Sequence, residues 1–269
     1  MKEVALVFIT QLLLTAGSIV AAGLFIRGCK RLFVRACGRY APYIVNGSGI
    51  IGTPVHELSH AVMCILFRHK IKRIKLFGIS NNTLGFVEHS YNPVSLWQRI
   101  GNFFIGIAPV LAGSGVLLLL LRLFLPDACN EIAALLLQTA QQGTVSADTL
   151  MALGETVASI FGIVFSPENC SSWRLWVFLP IALTIAVHMD LSTADIKGGA
   201  NGFFFFAVAV LLIDIALFFI NPAWLTAFTQ LVIRGGFFLT SLLLLSVVFA
   251  GSVGILSLLV IAVRKIFGR

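Results

Sequence analysis

The chain has 269 residues, 58% of them hydrophobic and 11% charged, with a mean hydropathy of +0.99. That charge content is less than half of what soluble domains carry, and apolar runs repeatedly reach the roughly 20 residues needed to cross a bilayer; soluble, disordered, collagenous and disulfide-scaffold classes are excluded. The net charge of +8 sits in short clusters beside apolar segments, which makes it a topology signal facing anionic headgroups and argues against nucleic acid as a partner.

The first apolar run, residues 4–26, is longer than a signal-peptide core and follows Lys2 and Glu3, whose charges cancel. It is expected to be a retained span. Arg27, Lys30, Arg31, Arg35 and Arg39 follow and should stay in the cytoplasm, which leaves the N-terminus outside. Residues 43–67 are apolar but interrupted by Gly47, Gly49, Gly52 and Pro54, and they lead into a second basic cluster from Arg68 to Lys75. Basic clusters on both sides favour a re-entrant element: 43–52 dips into the membrane, and a helix capped by Thr53 with Pro54 in its first turn returns. The alternative is a kinked full span whose glycines permit close helix packing. Residues 71–89 alternate apolar and charged positions around a turn at Ser80, Asn81 and Asn82, which predicts a β-hairpin at the cytoplasmic face. A span at 102–125 carries the small residues Gly106, Gly113 and Gly115.

Between Arg122 and Arg174 there is no lysine or arginine, so segment 126–172 is expected outside, as two amphipathic helices. Cys129 and Cys170 bracket it, either bridged or as free thiols. The five cysteines follow neither a zinc-ribbon nor a disulfide-lattice spacing. Further spans are read at 173–197, 203–220 and 236–263, with Gly235 and Gly236 in the last connection. Arg264, Lys265 and Arg269 put the C-terminus in the cytoplasm. The fold class is therefore an all-α polytopic membrane protein, a single integral domain over 1–269, with five spans plus a re-entrant element, or six spans, and a small hairpin. No internal repeat is visible, which disfavours an inverted-repeat transporter. Nothing in the sequence sets an oligomeric state.

Chemistry concentrates in His56-Glu57-Leu58-Ser59-His60. Histidines four apart on a helix share a face and can hold one Zn2+, with the adjacent glutamate as general base. Three ionisable residues inside an apolar stretch mark a functional site. A catalytic zinc needs a third protein ligand. On a continuous helix Asp195 shares a face with His188 and Ser192, near the cytoplasmic end, while Asp190 points about 140° away and Asp214 lies mid-span. Asp195 is the first choice, with Asp190 and Asp214 as alternatives. His188 is read as a donor that orients a metal ligand, as a stabiliser of the oxyanion, or as an ordinary packed histidine.

This motif, the hairpin after it and the later span carrying Asp195 before Gly198 and Gly199 resemble the site-2 protease family of intramembrane zinc metalloproteases, over about residues 43–202. The resemblance implies one Zn2+ on His56, His60 and Asp195, with Glu57 as base, and a site toward the cytoplasmic side. It also implies a hairpin whose stretch Gly85, Phe86 and Val87 holds substrate as an extended strand. The substrate would be a single-pass membrane protein cleaved within or near the bilayer. The family's aspartate usually stands in Leu-Asp-Gly or Asn-Pro-Asp-Gly, replaced here by Ala194-Asp195-Ile196-Lys197-Gly198-Gly199. Its small-residue and asparagine element is met loosely by Asn102, Gly106 and Pro109. A metal transporter or a catalytically silent membrane scaffold is the rival function.

Overall fold

The computed structural model describes residues 2–79, 83–141 and 147–267. In chain order the elements are α1 (Lys2–Leu12), α2 (Ser18–Cys37), α3 (Ala41–Leu66), β1 (Lys70–Lys75), β2 (Phe86–Ser90), α4 (Leu96–Phe124), α5 (Pro126–Gln141), α6 (Ala147–Val164), α7 (Pro167–Cys170), α8 (Trp173–His188), α9 (Thr193–Ile220) and α10 (Pro222–Ile266). Among the described residues four helical stretches are long and apolar enough to cross a membrane: Val4–Leu66, which takes in most of α1 and all of α2 and α3, then α4, α9 and α10. Helix α8 and residues Met151–Val164 are apolar but shorter. Large apolar side chains on α9, among them Phe204, Leu212 and Phe219, are exposed, as suits a face turned to lipid. The chain is a multi-pass membrane protein built almost wholly of helices.

Its core is one cluster drawn from six helices, in which Ile26, Leu117, Ile132, Ile160, Phe178 and Phe249 are fully buried. Helix α2 ends at Gly38, whose φ of +54° favours glycine, and the Arg264 guanidinium lies against it. The basic residues at the ends of α2 and α10 thus lie together.

Several sequence-based boundaries are corrected. The backbone from Ala41 to Leu66 is one continuous helix with Pro54 inside it, so no helix begins at Thr53 and the break expected around Gly47 to Gly52 is absent. Two of these glycines serve packing instead: a Cβ at Gly52 would fall 2.5 Å from His188 Cβ, and one at Gly49 would fall 2.7 Å from Leu84 Cδ1. The span read as 173–197 is two helices, because α8 stops at His188 and Ser192 starts α9. Ser192 Oγ accepts from Asp195 N at 3.1 Å, and Asp195 Oδ2 accepts from Ser192 N at 2.7 Å, a reciprocal cap that fixes the start. Helix α9 then runs on through the residues assigned to a separate span at 203–220.

Asn221 caps α10, with Pro222 in its first turn, and α10 continues straight through Gly235 and Gly236 for 45 residues. Gly236 again admits a neighbour, since its Cβ would sit 3.0 Å from Leu14 Cβ. The segment 126–172 does form helices, α5 to α7, that bury Ile132, Leu136 and Ile160 in the core; Phe161 is exposed. Cys129 and Cys170 are free thiols.

The hairpin is present. β1 and β2 pair antiparallel with Lys75 opposite Phe86 and Ile74 opposite Val87, and a bulge falls between Ile71 and Arg73. Gly85 lies just before β2 rather than in it, and the turn expected at Ser80, Asn81 and Asn82 lies outside the described residues.

Candidate metal centre

His56, Glu57 and His60 stand on neighbouring turns of α3, and the histidines share a face as a four-residue spacing requires. His56 Nδ1–H donates to the His188 carbonyl at 2.8 Å, and His60 Nδ1–H donates to the Ile105 carbonyl at 2.8 Å. A carbonyl only accepts, so both ring protons are committed there and each neutral ring is left with a bare Nε2 lone pair. Those Nε2 atoms face each other at 3.1 Å. Asp195 closes the third side, with Oδ1 3.2 Å from His60 Nε2 and Oδ2 3.7 Å from His56 Nε2. Two lone pairs and a carboxylate turned toward one point repel one another unless a cation lies between them. The donor set, two imidazoles and one carboxylate, fits zinc, and the commitment of both Nδ1 protons to carbonyls is the orientation that metal-ligating histidines require.

Asp195 reaches this point from the first turn of α9, by a route the continuous-helix reading did not contain. Its cap with Ser192 holds the carboxylate, and the positive end of the helix stabilises its charge. The approach of α9 to α4 depends on bare backbone: a Cβ at Gly106 would fall 2.6 Å from Asp195 O and 2.9 Å from Gly199 Cα. Ser192 therefore acts on the site by fixing Asp195. Asn102 is buried and lines the cleft beside the cluster.

The alternative third ligands are engaged elsewhere. Asp190 pairs with Lys30 Nζ at 2.5 Å. Asp214 is fully buried and accepts from Gln11 Nε2 at 3.2 Å, on the far part of α9. The His188 ring donates from Nδ1 to the Thr184 carbonyl at 3.0 Å, so His188 supports His56 through its main chain and not through its imidazole.

Glu57 is 7% exposed and stands outside the three-ligand group. It borders two spaces. One is a cavity of about 900 Å3 also lined by Asn46, Thr53, Lys30 and His188. The other is a cleft of about 560 Å3 lined by the cluster, by Gly85, Phe86 and Val87, and by Gly198 and Gly199. Asn46 and Thr53 give the first space polar groups, while Ser48 lines a separate apolar cavity. Gly85 lies close against Glu57, since a Cβ there would fall 2.6 Å from Glu57 Cγ and 2.8 Å from Thr53 Cγ2.

The Ile105 and His188 carbonyls escaped the sequence reading, and no side-chain pattern marks a carbonyl. Ser192 to Asp195 does carry the spacing of a helix-start cap, which would have located the break before α9. No family model, curated protein or solved structure matches this chain.

Proposed function

We propose that this chain is an intramembrane zinc metalloprotease that cleaves single-pass membrane proteins within or near the bilayer. The carrying observation is the convergence of His56 Nε2, His60 Nε2 and an Asp195 carboxylate in a chain of apolar helices, with Glu57 beside them. Zinc, when bound by these three residues, supplies Lewis acidity toward a peptide carbonyl and toward water. Glu57 takes the proton as the water oxygen bonds to the carbonyl carbon, then delivers it to the departing amide nitrogen as the C–N bond breaks. The cavity behind Glu57, with its polar lining of Asn46, Thr53 and Lys30, brings water to a site sunk among apolar helices.

The cleft supports a peptide in extended form. A peptide bond in a regular helix is shielded, and β2 borders the cleft with Phe86 and Val87 while β1 pairs with it on one side only. An unwound substrate segment adds to that strand. The basic clusters and the C-terminus face the cytoplasm, and the site opens toward that side.

Glu57→Gln is expected to leave zinc content unchanged and to abolish cleavage of a membrane-anchored reporter in proteoliposomes. Cleavage by the variant at the wild-type rate would remove Glu57 from the mechanism; a zinc-loaded wild type that leaves the reporter intact would favour the transporter or scaffold reading.

A further inference from the structure

A second set of side chains able to ligate a metal lies at the C-terminal end of α3, sharing no residue with the first cluster although His89 borders the same cleft. Cys64 Sγ, a ring nitrogen of His69 and a ring nitrogen of His89 all lie within 4.8 Å of one another. The backbone brings them together. Helix α3 ends with Arg68 in the left-handed region at φ 58°, His69 N–H donating to the Cys64 carbonyl at 2.8 Å and Arg68 N–H donating to the Ile65 carbonyl at 3.0 Å. This paired closure folds the residue after the left-handed one back over the residue five before it, a place usually filled by two apolar side chains. Here it holds a thiol and an imidazole.

The hairpin supplies the third group. β2 sets His89 opposite Ile71, and His89 Nδ1 lies 3.0 Å from His69 Nδ1. His69 Nε2–H donates to the Gln98 carbonyl at 2.8 Å, so His69 Nδ1 is a bare lone pair aimed at the other two groups. Tyr91 stacks on the His69 ring at 5.3 Å and holds its plane. His69 is 6% exposed and Cys64 is fully buried, surroundings in which a lone pair and a thiol without a cation gain little.

We propose that Cys64, His69 and His89 form a second metal site, for Zn2+ or a cation of the same class, that clamps the hairpin to the end of α3. One thiolate and two imidazoles are a donor set zinc accepts, with a fourth position left open. The competing arrangement is a plain hydrogen bond in which His89 Nδ1–H donates to His69, with Cys64 a bystander. The two differ in whether sulfur touches metal.

The test uses full-length protein in detergent, loaded with Co2+ and freed of excess by gel filtration. The first centre contains no sulfur, so a thiolate-to-cobalt charge-transfer band reports the second alone. The band is expected in wild type, retained in the His56→Ala/His60→Ala double variant, and lost in Cys64→Ser with helical circular dichroism unchanged. His89→Ala, on the hairpin and outside the helical core, is expected to weaken cobalt retention by tenfold or more and serves if Cys64→Ser fails to fold. Wild type that binds cobalt with no thiolate band, or a band that survives Cys64→Ser, overturns the proposal. Loss of the first centre alone leaves a band with reduced metal content, so the failures of the two sites are distinguishable.

Discussion

Committing both Nδ1 protons to main-chain carbonyls is what turns two ordinary histidines into a pair of opposed Nε2 donors, and the carbonyls of Ile105 and His188 do this from α4 and α8. The facing of the two histidines was readable because residues four apart lie on one face of one helix. Asp195 was readable as an acid in an apolar context, but its place was assigned to the wrong helix, since residues 189–192 hold no glycine or proline to mark the break. Ser192 holds Asp195, the proposed third ligand, by the helix-start cap, so Ser192→Ala is expected to weaken zinc binding about tenfold and to cost about 1 kcal/mol of stability, measured by chelator competition and thermal melting. At the far end of α3, Arg68 occupies a conformation that favours glycine, and its non-glycine identity concealed the turn that joins Cys64 to His69. Arg68→Gly relieves that conformation and is expected to stabilise the protein by about 0.5 to 1 kcal/mol in a thermal melt, while Arg68→Val should destabilise it.

Between elements, glycine controls how near the parts of the centre come to each other. Gly106 lets α9 lie against α4 where Asp195 enters, and Gly85 lets the start of β2 touch Glu57. The two contacts serve different parts of the chemistry, so their variants should separate. Gly106→Val pushes α9 away and is expected to lose zinc and cleavage together. Gly85→Val leaves the three ligands in place, so zinc should remain while cleavage of a membrane reporter falls at least tenfold; loss of zinc in both variants would contradict the division. The hairpin itself was legible from Ile71, Ile74 and Leu76 set among charged residues, a local pattern that the bulge between Ile71 and Arg73 makes irregular. The continuity of α3 and α10 was not. Gly47, Gly49, Gly52, Gly235 and Gly236 are helix breakers in water, whereas in a membrane a helix satisfies its own backbone, and glycine there admits a neighbouring helix.

For the molecule as a whole, apolar composition made the membrane reading direct, while the number and limits of the helices depended on tertiary contacts. Helix α10 illustrates this: its 45 residues extend about 68 Å, roughly twice the hydrocarbon thickness, and the Gly235 and Gly236 pair read as a connection lies inside it. The basic ends of α2 and α10 lie side by side, with Arg264 against Gly38, so one membrane face receives both. A reporter fused at the C-terminus is therefore expected on the cytoplasmic side; its appearance outside would reverse the orientation. The account rests most heavily on the cage of His56, His60 and Asp195, and zinc content per chain of the purified full-length protein tests it directly. Asp195→Ala and His60→Ala should each lose zinc relative to wild type, while Asp190→Ala and Asp214→Ala keep the wild-type amount. Equal zinc in all five proteins, or loss confined to the Asp190 or Asp214 variant, would contradict the assignment of this metal centre.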